Sequence, residues 1–415
     1  MKLGLAAIDA LCEKLGRPEK AFPSVLIGGT NGKGSVAATL SAIAAAHGLR
    51  AGLYTSPHLA RVTERIRLEE KDVSEDELDE ALGSVFDAAD RASILPTYFE
   101  AATAAAFLLF ARRRVDLAIL EVGLGGRFDA TNIAPAVLSA VTSIALDHTA
   151  ELGTTLAEIA REKAGIFRRG RPALVRATAR AARESLRRAS REAGAVWHDA
   201  VAEIEVEVDR VGLDGTLFAV RTPERRVELA TPLPGAHQAW NTALAVRAAE
   251  LLAEPSLTPR TDAIVRGVER VRWPGRLECL GIRGRTVLLD GCHNPEGAES
   301  LARFLADAGL EGRCPLVFGA MADKDIEGIA RVLFPRVTGV TLVTVTSTRA
   351  AAADELARRV PSAPGGVRVA SGFTEAMDRL LAGEGSAPII VAGSLYLVGE
   401  ARSWLLAGGP AEGCR

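Results

Sequence analysis

At 415 residues the chain exceeds what one ordinary core organises, so two domains are expected. With 48 % hydrophobic residues, 25 % charged residues and a formal net charge of −2, it reads as a soluble globular protein, and nothing in that balance calls for nucleic acid or a membrane as partner. The five cysteines (Cys12, Cys279, Cys292, Cys314, Cys414) are odd in number and scattered without a C-x-x-C pair. That pattern argues against a disulfide framework and a zinc site, and fits a reducing cytoplasm.

The N-terminal stretch MKLGLAAIDALCEK places Asp9 and Glu13 among its apolar residues, which the apolar region of a signal peptide excludes. No run approaches the ~18 apolar residues of a membrane span. From Ser24 onward, short apolar runs alternate with helix-period segments: SVLIGG, RAGLYTS, VDLAILEVG and AVLSAVTSIALDH are the expected strands of a parallel, helix-covered sheet. Between the first two lies an expected helix with Val36, Leu40 and Ile43 on its apolar face and Gly48 at its end. The Ala/Arg-rich stretch RATARAARESLRRASREAG reads as a solvated helix. Residues 203–229 alternate polar and apolar around an Asp-Gly pair, the pattern of antiparallel hairpins. A helix over about 235–253 follows, then another before VRWPGR, whose Pro-Gly pair puts the domain boundary near Trp273. Beyond it, TVLLDG, CPLVFGA, VTLVTVTS and APIIVAGS continue the alternation as a smaller α/β domain. The expected division is 1–273 and 274–415.

In doubly wound sheets, ligands bind beyond the carboxyl ends of the strands, and this chain repeatedly puts unusual polar residues there. SVLIGG runs into Thr30-Asn31-Gly32-Lys33-Gly34-Ser35, RAGLYT into Ser56-Pro57-His58, DLAIL into Glu121, and SAVTSIAL into Asp147-His148-Thr149. The first of these departs from the usual phosphate loop, G-x-x-x-x-G-K-[ST]: Ile27 stands where the first glycine belongs, and Gly34 follows the lysine. A glycine-rich turn opening a helix still offers backbone N–H groups to an anion. Lys33 is the candidate for the β- and γ-phosphates and Ser35 for a Mg²⁺ ligand. Glu121 ends an apolar strand, where a carboxylate is costly unless it is exposed or meets a cation. Lys163 falls on the apolar stripe Leu156, Ile159, Ala160, Ala164, Phe167, so it either snorkels to the rim or has a partner inside.

Taken together and in order, GTNGKGS (29–35), TSPHL (55–59), PTYFE (96–100), LEVGLGGRFDATN (120–132), TSIALDHT (142–149), REKAGI (161–166), HQAWN (237–241), PGRLE (274–278), DGCHNP (290–295), DKD (323–325) and GSLYLVGE (393–400) resemble the folylpolyglutamate synthase/dihydrofolate synthase family, relatives of the muramyl ligases. The resemblance spans nearly the whole chain. It implies an N-terminal P-loop ligase domain with a parallel sheet and a small antiparallel region, followed by a C-terminal α/β glutamate-ligase domain. It implies joining a carboxylate of dihydropteroate or a reduced folate to the amine of L-glutamate, through an acyl phosphate, with ATP and Mg²⁺ and as a monomer. Carried over residue by residue, it makes Lys33, His148 and Lys163 catalytic and gives the nucleotide Thr30, Asn31, Gly32, Lys33, Gly34, Ser35, Asn241, Arg276 and Asp290. It gives the metal Ser35, Ser56, Glu121, His148 and Lys163, the last as a carbamate. Thr97 and Phe99 fall on the pterin side, and His293 and Ser394 near the nucleotide and incoming glutamate. Cys292 departs from the family's usual small residue, and no redox role is expected of it. Two alternatives remain open on the residues: a muramyl-type ligase, against which the 27 residues before Gly28 leave no room for a UDP-binding domain, and a nucleotide-binding module without ligation.

Overall fold

The computed structural model describes residues 4–252, 254–383 and 385–407, so Cys414 lies outside the described residues, as does the end of the helix expected to reach 253. The chain forms two compact units: 1–207 with 219–229 and 240–271, and 208–218 with 230–239 and 272–415.

The strands of the large sheet are β1 (Ser24–Gly28), β2 (Ala51–Tyr54), β3 (Ile66–Leu68), β4 (Lys71–Asp72), β5 (Leu117–Glu121), β6 (Ala136–Val141), β7 (Pro172–Val175) and β8 (Val196–Asp199), in the order β4-β3-β2-β5-β1-β6-β7-β8. All neighbours from β2 to β8 run parallel, and β3 and β4 add an antiparallel edge. Strands β1, β2 and β5 are buried along their whole length, as the unbroken apolar runs require when helices cover both faces. Helices α1 (Ala6–Lys14), α2 (Lys33–Ala46), α3 (Glu75–Ala92), α4 (Tyr98–Arg112), α5 (Thr149–Leu152), α6 (Leu156–Lys163) and α7 (Arg180–Ala193) accompany this sheet. Phe22 packs edge-on against Phe110 at 5.8 Å, in a core that also holds Leu26, Phe107 and Leu120. Burying each such phenylalanine contributes about 2–3 kcal/mol.

The expected helix after the phosphate loop is α2, followed by Gly48 at φ +95°. The Ala/Arg-rich stretch is α7, whose buried residues Ala182, Leu186 and Ser190 form one stripe. The antiparallel region is a three-stranded sheet, β9 (Glu205–Gly212), β10 (Gly215–Arg221) and β11 (Arg226–Thr231), ordered β11-β10-β9. The short helix α8 (Ala200–Glu203) precedes it; α9 (Ala236–Glu250) and α10 (Thr261–Arg270) follow. The division between the units passes through these three strands and the first turn of α9.

The second unit carries β12 (Arg276–Ile282), β13 (Arg285–Asp290), β14 (Pro315–Phe318), β15 (Gly339–Leu342), β16 (Val367–Val369) and β17 (Ile389–Ala392), in the order β12-β13-β17-β14-β15-β16. Strand β12 pairs antiparallel with β13, and the others are parallel. Its helices are α11 (Pro295–Asp307), α12 (Ile326–Leu333), α13 (Ala353–Arg359), α14 (Phe373–Ala382) and α15 (Leu395–Ala407). Phe304, Phe318, Phe334 and Ile390 anchor its core.

Candidate active site

Parallel register brings the polar strand ends of the first unit to one edge. Ile27 of β1 stands beside Glu121 of β5, and Gly28 beside Val141 of β6. The loop between β1 and α2 is held from the β6 side: Thr30 N–H donates to the Ser143 carbonyl at 2.8 Å, Asn31 N–H to Ser143 Oγ at 3.1 Å, and Thr142 Oγ1 donates to the Asn31 carbonyl at 2.6 Å. Two glycines make this path possible. Gly29 has φ +136° and a Cβ there would collide with Thr142, while Gly32 has φ +82° and a Cβ there would lie 2.6 Å from Asn241 Oδ1. Both conformations are strained for any other residue. Ile27, by contrast, is a wholly buried strand residue, so the glycine of the usual motif has moved into the turn. Gly34 and Ser35 are buried in the first turn of α2.

Two lysines reach this turn. Lys33 Nζ donates to the Thr30 carbonyl at 3.0 Å, and Lys163 Nζ to the Gly29 carbonyl at 2.8 Å. Lys163 lies at the end of α6, 5 % exposed, so it faces inward rather than snorkelling. Burial, reinforced by the charge of Lys33, lowers its pKa to about 7, against the opposing pull of Asp147 and Asp129. The segment after β5 is clamped to the same place: Arg127 N–H donates to the Glu162 carbonyl at 3.0 Å, and Asn132 Nδ2 donates to the carbonyls of Arg127 and Gly165. Asp129 organises that segment by accepting from Leu124 N–H at 2.9 Å, Thr131 N–H at 3.0 Å and Thr131 Oγ1 at 2.6 Å, while burial raises its pKa.

Glu121 is buried, and its Oε2 accepts from Ser56 N–H at 3.1 Å. His148 begins α5 at φ +51°; its N–H donates to Asp147 Oδ1 at 2.9 Å, and its Nε2 lies 4.0 Å from that oxygen. Among the described residues, no three of His, Cys, Asp and Glu converge as a metal cage. A phosphate-bound Mg²⁺ does not need one, because it takes one or two protein carboxylates and fills its octahedron with phosphate oxygens and water. A single buried carboxylate, with the hydroxyls of Ser35 and Ser56 on the same edge, is a donor set of that kind.

Thr97 and Phe99 open α4 in different ways. Thr97 caps the helix: its Oγ1 accepts from Glu100 N–H and donates to Glu100 Oε2 at 2.8 Å. Phe99 lies 6.0 Å from the Tyr54 ring, and its edge is 2.6 Å from where a Cβ on Gly123 would stand, two residues beyond Glu121.

The second unit gathers its own set at the carboxyl ends of β13 and β17. Asp290 is buried, which raises its pKa against the pull of Arg276. Its Oδ1 accepts from Cys292 N–H at 3.0 Å and its Oδ2 from Leu277 N–H at 3.1 Å. Arg276 pairs with Asp290 across β12 and β13, and its Nη1 lies 2.6 Å from the Cβ position of Gly291. His293 Nδ1 contacts the Gly291 carbonyl at 2.9 Å; Ser394, beyond β17, accepts from Tyr396 N–H at 3.2 Å. Burial pushes the Cys292 thiol well up, which keeps it protonated and inert. Sequence reasoning did not select Asp129, Thr142 or Ser143; the signal available for Thr142 and Ser143 was their place directly after β6, while Asp129 lies in the glycine-rich segment that follows β5.

Two domain models match the chain: the Mur ligase middle domain over residues 27–249, and the Mur ligase glutamate ligase domain over 275–395. The chain is therefore built from two domains of the Mur ligase class. A dihydrofolate synthase/folylpolyglutamate synthase of Bacillus subtilis is 36 % identical over 80 % of this chain and 79 % of its own length. The solved structure of Escherichia coli FolC in complex with DHPP and ADP superposes with a TM-score of 0.89 at 32 % identity, covering 98 % of this chain and 94 % of that one. The Mycobacterium tuberculosis folylpolyglutamate synthase complexed with ADP and AMPPCP gives 0.88 at 32 % identity, covering 99 % and 96 %. The chain spans about half the length of two haloarchaeal relatives described as probable bifunctional folylpolyglutamate synthase/dihydropteroate synthases, 48 % of the Haloferax volcanii protein and 49 % of the Halobacterium salinarum protein. The chain belongs to the folylpolyglutamate synthase/dihydrofolate synthase family.

Proposed function

We propose that this protein is an ATP-dependent carboxylate–amine ligase that adds L-glutamate to dihydropteroate, to reduced folates, or to both. The observation that carries the reading is the meeting of Lys33, Lys163 and the Ser56–Glu121 pair on one strand edge, around a turn with two positive-φ glycines that opens a helix. A carboxylate is a poor acyl donor; transfer of the γ-phosphoryl group to its oxygen, with release of ADP, makes an acyl phosphate. The amine of glutamate then attacks the acyl carbon, losing a proton, and phosphate departs. Catalysis of the first half is positioning plus charge neutralisation.

In this reading Thr30 to Ser35 cradle the phosphates, with Lys33 leaving the Thr30 carbonyl for a phosphate oxygen. Asn241, Arg276 and Asp290 serve the nucleotide, and His293 and Ser394 lie near it and the glutamate. Ser35, Ser56, Glu121 and His148 serve Mg²⁺, which when bound supplies neutralisation of the phosphate charge. Lys163, with its amine largely deprotonated just above neutral pH, is suited to form a carbamate with CO₂ and join them. Thr97 and Phe99 serve the pterin side of the acid-substrate pocket, Thr97 also capping the helix that carries Phe99. We place the functional division near residue 273 and read the protein as a cytoplasmic monomer. In support of that compartment, Cys12, Cys279, Cys292 and Cys314 are unpaired, and among the described residues no helix is long and apolar enough to cross a membrane.

The test is phosphate release by the purified protein with Mg-ATP and L-glutamate, comparing dihydropteroate and tetrahydrofolate as acceptors. Release with one or both, matched by a glutamyl amide, supports the ligase and fixes its acceptor. ATP turnover indifferent to both acceptors and to glutamate overturns it.

A further inference from the structure

Among the described residues, Arg65 is a nearly buried cation that pairs with no carboxylate. It closes the helical turn Val62–Arg65, is 9 % exposed, and accepts at its carbonyl from Thr55 N–H at 2.9 Å, which ties it to the end of β2 beside Ser56. Its guanidinium touches three groups. Nε donates to His58 Nδ1 at 2.9 Å, the Tyr54 hydroxyl is close enough to feel its charge, and Cζ lies 5.2 Å from the centre of the Tyr98 ring. Because His58 accepts at Nδ1, its ring is neutral, so all three neighbours are neutral. The arginines on either side behave differently: Arg61 and Arg67 both pair with Asp72, at 3.6 and 2.8 Å. Glu64 is turned to the backbone, accepting from Leu59 N–H at 2.8 Å and Arg61 N–H at 3.1 Å. Among the described residues, no carboxylate pairs with Arg65.

A desolvated guanidinium is costly unless an anion answers it, and its planar fork matches a carboxylate. Tyr98, 60 % exposed in the first turn of α4, leaves the approach open from solvent. We propose that Arg65, backed by His58 and faced by Tyr98, is a subsite for a non-reacting carboxylate of the acid substrates. This rests on the ligase reading above. Two sources offer that group: the α-carboxylate at the end of a folate's glutamate tail, and a carboxylate of incoming L-glutamate.

The experiment compares wild type with Arg65→Met and Arg65→Lys, measuring KM and kcat for tetrahydrofolate, dihydropteroate, L-glutamate and ATP, and the Tm of each protein. The subsite requires a rise of ~10–100-fold in KM for a carboxylate substrate in Arg65→Met, the worth of a charge-assisted pair. KM for ATP stays within about twofold, Tm does not fall, and Arg65→Lys recovers part of the loss. A rise confined to tetrahydrofolate identifies the folate α-carboxylate; a rise for L-glutamate with either acceptor identifies the incoming amino acid. Unchanged KM values for every carboxylate substrate, or a lowered Tm with the loss confined to kcat, overturn the proposal and leave the ligase reading standing. Should no ligation occur with the wild type, thermal shift with sodium glutarate against sodium chloride at equal ionic strength decides separately. A Tm rise in wild type that Arg65→Met lacks sustains the carboxylate subsite, and equal responses refute it.

Discussion

The inward amine of Lys163 makes a prediction with a sign and a size. Its pKa is lowered from 10.5 to about 7, so between these values the unfolded chain holds a proton that the folded chain has released. Stability relative to Lys163→Met must therefore rise with pH through that window, and lie flat below about pH 7, where both states are protonated. Each pH unit is worth about 1.4 kcal/mol, and the whole window about 5 kcal/mol. Losing the hydrogen bond to the Gly29 carbonyl adds a constant that the comparison across pH removes. The assay is urea unfolding of both proteins at pH 6, 7, 8 and 9 in CO₂-depleted buffer. A free-energy difference that stays constant from pH 7 to 9 would show that the amine is not titrating inside the fold, and would refute the argument from burial. Adding bicarbonate at pH 8 should stabilise wild type and leave Lys163→Met unchanged if the amine forms a carbamate.

Gly32→Ala forces a Cβ to 2.6 Å from Asn241 Oδ1 at a left-handed φ; it should weaken ATP binding by at least ~10-fold, measured by calorimetry, at a strain cost of about 1–3 kcal/mol. Lys33→Met should lower the rate of phosphate release by ~10²–10³-fold, the scale of losing one charge-stabilising donor, with the urea midpoint little changed. Thr97→Ala removes a helix cap and should cost about 1 kcal/mol of stability, with KM for dihydropteroate within about twofold; a large KM change at unaltered stability would instead support direct contact with the pterin substrate. Asp129→Ala strands the donors of Leu124 and Thr131 and should cost about 3 kcal/mol or more, read in urea unfolding.

The parallel strands and the glycine turn were legible because each is a local pattern: an unbroken apolar run ending in Gly, or a lysine interrupting a helical stripe. The short strands β3, β4, β7 and β8 carry no such mark, since β7 is only Pro172–Val175 and β8 begins with the exposed Val196. Tertiary pairing, not propensity, makes them strands. Thr97 is instructive in the other direction. The spacing Thr-x-x-Glu over 97–100 is a capping box, yet family resemblance gave Thr97 only a substrate role; its hydroxyl is occupied by Glu100. Arg65 was invisible for a third reason. An arginine in a polar stretch defaults to the surface, and only the packing of the Val62–Arg65 turn against Tyr54, His58 and Tyr98 reveals that, among the described residues, this one has no carboxylate partner.

The altered phosphate loop makes sense once both lysines are considered. Burial, and secondarily the charge of Lys33 beside the same turn, bring the deeper amine, Lys163, to give up its proton near neutral pH. Lys163 can then hold the Gly29 carbonyl without adding a second full charge, while Lys33 rests on the Thr30 carbonyl. With both carbonyls taken by amines and the Thr30 and Asn31 N–H groups held by Ser143, an incoming polyphosphate meets the lysine side of the turn and the first turn of α2, where a helix start favours an anion. The glycines at 29 and 32 let the backbone bring those carbonyls within reach of both lysines, so the motif that looks broken at Ile27 is rebuilt two residues later, around a second amine that the usual loop does not have to accommodate.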